Sequence, residues 1–181
     1  MRKAKGLIGC TALAIILIPA CVNAEGVKYI NRAWVDHVYD CDPLNLTPQE
    51  LISEYELGDT DKNNMKTDNG VTYDFGGWEE FYSYIMCTYK HPLEGFDKAI
   101  LEWEAWAANG TYVWLSYWRS ETPTTGHWYP LATMGPNHTT QYIEVTDCWD
   151  IYSPHDLIII MTNHPYESVD LKCDVSAVHY K

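Results

Sequence analysis

The spacing of apolar positions changes near the middle of the chain. Trp78, Phe81, Tyr82, Ile85 and Tyr89 fall within about a 100° sector when successive residues are set about 100° apart, which predicts an amphipathic helix. Leu93, Phe96, Ile100, Trp103 and Ala107 repeat that spacing and stop at Asn109-Gly110, a pair suited to ending a helix. Trp103 lies on this second stripe and Trp106 lies at its edge. An earlier, shorter helix is expected from Thr47-Pro48-Gln49-Glu50 to about Leu57. There Thr47 caps, Pro48 takes the first helical position, Glu50 bonds back to the cap and Gly58 follows as the stop.

Beyond Gly110 the period becomes two. Val113, Leu115 and Tyr117 share one face and Tyr112, Trp114 and Trp118 the other. Bulky side chains on both faces predict a central strand covered on both sides. Further strands are expected at 127–134, 141–147, 157–162 and 169–180, separated by turn-rich stretches such as Thr122–Gly126 and Gly135-Pro136-Asn137. A short strand fits 71–75, and 27–41 fits either a strand or a short helix. Helices followed by strands give one α+β domain, with N-terminal helices packed on a C-terminal antiparallel β-meander. Within it, core is the first expectation for Trp103, and Trp106, Trp118 and Trp128 are the rings expected to be partly exposed.

The chain begins with Arg2, Lys3 and Lys5, then an apolar run from Leu7 to Ile18, then Val22-Asn23-Ala24. That order is a secretory signal peptide cut after Ala24. The apolar run is too short to span a bilayer, so residues 1–24 are expected to be removed and 25–181 to be a single exported domain without a transmembrane anchor. Ile18-Pro19-Ala20-Cys21 resembles a bacterial lipoprotein box, but Pro19 departs from it, and a soluble periplasmic or secreted product is favoured over a lipid anchor on Cys21.

Export changes the reading of the cysteines. Cys41, Cys87, Cys148 and Cys173 remain after cleavage, and an even number in an oxidising compartment predicts two disulfides. Cys41–Cys87 with Cys148–Cys173 is the pairing that ties neighbouring parts of the chain. No C-x-x-C spacing points to redox chemistry or zinc.

Export also sharpens the charge. The leader carries three of the twelve basic side chains and none of the acidic ones, so cleavage moves the net charge from −13 to about −16. Such a surface repels nucleic acid and anionic lipid, and suits a basic protein partner or a cation.

Candidate chemistry is sparse. Asp59, Asp61 and Asn63 stand at the first, third and fifth positions of a calcium loop, but Asn64 replaces its turn glycine and Gly70 its bidentate Glu. The seven His residues are scattered without a zinc-hydrolase pair. No nucleophile elbow or phosphate loop occurs, and no metal or cofactor is implied. Glu94, Asp97, Glu102 and Glu104 supply carboxylates beside Trp103 and Trp106, the arrangement a glycosidase would need, although a solvated helix face explains them equally. Asn45, Asn109 and Asn137 each open an N-glycosylation sequon.

These features point first to an exported acidic binding protein, of the kind that inhibits a basic toxin or cell-wall-degrading enzyme. Acidic steering and aromatic anchors would serve it, with Trp106, Trp118, Trp128, Glu102 and Glu104 as candidate contacts. The alternatives are a carbohydrate-binding or adhesin-type module that uses exposed Trp and Tyr, and a secreted hydrolase.

Overall fold

The computed structural model describes residues 26–39, 41–52, 56–66, 73–75, 81–91, 97–108, 110, 112–135, 139–150, 152, 156–163 and 171–181. The predicted signal peptide, including Cys21, lies outside these residues. So do Trp78, Leu93, Glu94, Phe96, Asn109, Asn137, His138, His155 and His164.

In chain order the elements are β1 (Gly26–Tyr29), β2 (Arg32–Tyr39), α1 (Pro48–Leu51), α2 (Asp59–Asn64), β3 (Tyr73–Phe75), β4 (Phe81–Lys90), β5 (Ala99–Ala107), β6 (Val113–Thr122), β7 (Thr125–Met134), β8 (Gln141–Glu144), β9 (Asp156–Asn163) and β10 (Leu171–Tyr180). They form two five-stranded sheets whose pairings are all antiparallel. One has the order β1-β10-β5-β8, with β3 beside the first half of β10; the other has the order β2-β4-β9-β6-β7. The sheets pack face to face. Leu101, Trp103 and Val178 from one meet Ile85, Leu115 and Ile159 from the other in a shared core. The hydroxyls of Tyr89 and Ser176 hydrogen-bond across it, which satisfies two polar groups that would otherwise be buried alone.

This β-sandwich overturns the α+β expectation. The two segments read as helices are strands β4 and β5. In β4 every residue from Ser83 to Tyr89 is buried, because the strand lies inside its sheet and is covered on both faces. No polar alternation survives, and the apolar residues fall by chance at helical spacing. In β5, Ala99, Leu101, Trp103, Ala105 and Ala107 face the core while Ile100, Glu102, Glu104 and Trp106 face outward. Nor do the described strands form a meander: among them only β6 and β7 are sequence neighbours joined as a hairpin, while β9 inserts between β4 and β6 and β10 between β1 and β5.

The short helix does form, with Thr47 and Glu50 making both halves of the capping box. It ends at Leu51 rather than near Leu57. Part of the calcium-like stretch is helical too: α2 spans Asp59–Asn64, and Lys62 pairs with Asp59 and Glu56. No cluster of three or more metal-ligating side chains occurs among the described residues, and no helix among them is long and apolar enough to cross a membrane.

The expected disulfides are absent: none of Cys41, Cys87, Cys148 and Cys173 is in a disulfide bond. Cys87 points into the inter-sheet core, whereas Cys41 precedes the segment that lies on the opposite face of the same sheet. Cys148 sits near the Ala99 end of β5, where Val145 N donates to Ala99 O at 2.9 Å. Cys173 pairs with Ala105, six residues further along that strand, roughly 20 Å away at strand rise. Neither expected pair is bonded.

Candidate functional site

Two outer faces could meet a ligand. That of the β2-β4-β9-β6-β7 sheet is unusual in carrying a second apolar cluster, built from Trp34, Tyr84, Met86, Trp118, Ile158 and Ile160. Residues 41–52 lie across half of it as a strap. Leu51 is buried in the cluster, the Tyr84 hydroxyl donates to Leu51 O, and Trp128 Nε1 donates to Leu46 O at 2.7 Å. These bonds tie the strap to strands β4 and β7.

The half not covered by the strap is a groove of about 370 Å³, open to solvent on one side and within the size range of small-ligand sites. Trp34, Met86, Ile158 and Trp118 form its apolar floor, Thr47 to Ile52 one wall, and the hairpin turn at Pro123–Thr125 another. Gly126 lets that hairpin close. A Cβ there would stand 2.4 Å from Arg119 O and 2.7 Å from Trp118 Cζ2.

The polar groups of the groove are held by the fold. Asp150 is fully buried. It accepts from Ser120 Oγ at 2.8 Å, Ser120 N at 3.3 Å and Tyr152 N at 3.2 Å. Ser120 Oγ in turn accepts from Trp118 Nε1 at 3.0 Å, so the indole and the carboxylate are fixed together. At the other end the Arg32 guanidinium lies 4.6 Å above the Trp34 ring and donates to Glu56 Oε2 at 2.8 and 2.9 Å. Those bonds hold Glu56 below the usual carboxylate range and raise Arg32.

Between these ends sit Thr88 and Asp156. Thr88 is 8% exposed and Asp156 7%. Lys90 Nζ lies 2.9 Å from Asp156 Oδ2. Thr88 Oγ1 and Asp156 Oδ1 are buried and have no hydrogen-bond partner. Buried polar atoms in folded proteins are nearly always satisfied, and leaving one unpaired costs on the order of 1–3 kcal/mol. Two such atoms in one groove mark a place where the fold forgoes stability.

The other outer face, on the β1-β10-β5-β8 sheet, has a depression of its own. Tyr142, 67% exposed, and Val27 border this space of about 430 Å³ with Glu102 and His179. Glu102 accepts from the Tyr142 hydroxyl at 3.1 Å and lies 2.5 Å from His179 Nε2.

The sequence candidates therefore divide between two faces. Trp118 and Trp128 lie on the grooved sheet, edge to face with centroids 5.3 Å apart. Trp118 is buried in the groove floor, and Trp128 is half-buried and holds the strap. Trp106, Glu102 and Glu104 lie on the opposite sheet, where Trp106 is buried and Glu104 accepts from Thr140 Oγ1 at 2.7 Å. Trp114 is the more exposed ring. Thr88, Lys90, Ser120, Asp150 and Asp156 were not legible as a site, since strands β4, β6 and β9 and the loop before β9 bring them together from distant parts of the chain.

No family model matches the chain, and no curated protein matches it. Among solved structures, a carbohydrate-binding module of family 29 is 12% identical, with a TM-score of 0.36 over 65% of this chain and 85% of that one. A variant of such a module, made to probe ligand recognition, is 13% identical, with a TM-score of 0.35 over 82% of this chain and 91% of that one. Overlaps of this size carry no argument about the ligand.

Proposed function

We propose that this chain is an exported carbohydrate-binding domain and that the groove on the outer face of the β2-β4-β9-β6-β7 sheet holds the saccharide. The observation that carries the reading is the pair of buried, unpartnered oxygens, Thr88 Oγ1 and Asp156 Oδ1, beside an apolar floor. A sugar presents hydroxyls on its edges and apolar C–H surface on its faces. A floor of Trp and aliphatic side chains with fixed hydrogen-bonding groups matches both. Both carboxylates of the groove are held by the protein, Asp150 by Ser120 and Tyr152 and Asp156 by Lys90, an arrangement that suits binding better than hydrolysis.

The basic-partner reading has no comparable support. Glu102 and Glu104, its candidate contacts, are already engaged by His179, Tyr142 and Thr140.

Affinity electrophoresis of residues 25–181 through gels containing individual polysaccharides tests the proposal. At least one polysaccharide should retard the domain. Gln49→Ala and Arg32→Ala, both lining the groove, should reduce the retardation, and Tyr142→Ala, on the other sheet, should not. Free migration in every gel, or loss of retardation only with Tyr142→Ala, would sink the proposal.

A further inference from the structure

We infer that the groove selects neutral saccharides and grips one sugar ring by two adjacent hydroxyls, one on Thr88 Oγ1 and the other on Asp156 Oδ1. This rests on the carbohydrate reading and adds the class of sugar and the residues that choose it.

Charge decides the class. The two cations of the groove are already matched: Lys90 lies 2.9 Å from Asp156 and Arg32 is held by Glu56. Asp150 adds a negative charge whose oxygens accept only from neutral donors. No cation is left for a uronate carboxylate or a sulfate, and the chain as a whole carries −13, so an anionic sugar meets net repulsion. An amino sugar would meet Asp156 already neutralised by Lys90 and Asp150 buried with both oxygens taken by its own neighbours. What Oδ1 still lacks is a neutral donor, which a hydroxyl supplies.

Geometry decides the grip. Thr88 pairs with Ile158 and Lys90 with Asp156 in the β4–β9 ladder. Thr88 and Asp156 are thus diagonal neighbours on the same face. Such diagonals place Cβ atoms about 7 Å apart, a gap that two hydrogen bonds to adjacent hydroxyls of one ring can bridge. Both residues line the groove, and both oxygens are buried there on the same face as the half-exposed Lys90 side chain. Rotation of Thr88 about χ1 and a swing of Lys90 bring them to the ligand.

The test is calorimetric titration of residues 25–181 with neutral oligosaccharides (cello-, manno-, xylo- and galacto-series) and anionic ones (oligogalacturonate and a sulfated galactan). The proteins are wild type, Thr88→Val, Asp156→Ala and the double variant, each checked for a cooperative melt, with Asp156→Asn as the milder change. Wild type should bind a neutral series and not the anionic ones. Each single change should weaken neutral binding about fivefold or more. The double variant should lose less than the product of the singles, because both contacts hold one ring. Asp156→Ala frees the Lys90 ammonium and should let an anionic sugar bind measurably. Anionic binding by wild type as tight as neutral binding, or single effects that multiply, would overturn the inference and leave the carbohydrate reading standing. Failure of every saccharide to bind would remove both.

Discussion

Lys90 Nζ stands 2.9 Å from Asp156 Oδ2, while Asp156 Oδ1 has no partner. One carboxylate is therefore half satisfied by the protein and half kept for something else. Thr88, its diagonal neighbour across the β4–β9 ladder, has an unpartnered hydroxyl as well. A fold that buries two oxygens in this way gives up stability at this groove.

That trade sets the first prediction. Thr88→Val keeps the shape of the side chain and removes the unsatisfied hydroxyl. It should stabilise the free domain by about 1 kcal/mol, read as a higher urea midpoint at unchanged slope, while saccharide affinity falls. A lower midpoint would mean that the hydroxyl already has a partner.

The strap is a wall of the groove, and Trp128 Nε1 holds it at Leu46 O. Trp128→Phe keeps an aromatic ring but removes the donor. The expected cost is about 1 kcal/mol of stability, with weaker saccharide binding as the wall loosens. Unchanged binding despite the lost stability would show that the strap plays no part in holding the ligand.

Acid should act through the Arg32–Glu56 pair. Glu56 is held below its ordinary range, chiefly by the hydrogen bonds from Arg32. A depressed carboxylate contributes stability above its unfolded pKa, about 4.3, and that contribution is lost as pH falls through the lower folded value. Affinity should be level from pH 7 to about 5 and fall below about 4, as Arg32 loses its anchor over Trp34. In Glu56→Gln the part of that fall due to this pair should vanish. Identical acid profiles for the two proteins would assign the fall to other groups.

The thiols give a check on the core. Burial pushes the Cys87 and Cys173 thiols far up and Cys148 to about 11. Cys41 is only half-buried. Alkylation of the native domain at pH 8 should modify Cys41 first, with Cys87 and Cys173 reacting only after denaturation, as peptide mass mapping would show. Recovery of two disulfides instead would contradict the packing described for these strands.

Legibility in the sequence followed the locality of each signal. The Thr47 cap with its Glu50 return bond depends on four consecutive residues and is realised in full. Strand β6 was visible because Val113, Leu115 and Tyr117 alternate with Tyr112, Trp114 and Trp118, and the structure buries Val113 and Leu115 in the inter-sheet core. In β5 the evidence was also present, since Leu101-Glu102-Trp103-Glu104-Ala105 alternates strictly. The outward Ile100 and Trp106 supplied apolar residues at helical spacing and disguised it. β4 offered no such clue, because a strand covered on both faces has no polar side to show. The groove was beyond local reading altogether. Trp34, Thr88, Trp118 and Asp156 come from four strands, and only the sheet order β2-β4-β9-β6 makes them neighbours.

The most direct test of the central claim is to map where a neutral oligosaccharide touches the domain, by following amide and indole NMR shifts during titration. The groove account predicts that the largest changes fall on Thr88, Ser120, the Trp118 indole and Gln49, with Tyr29, Tyr142 and His179 on the far sheet unmoved. Changes clustered at Tyr142 and His179, or none with any sugar tried, would contradict it.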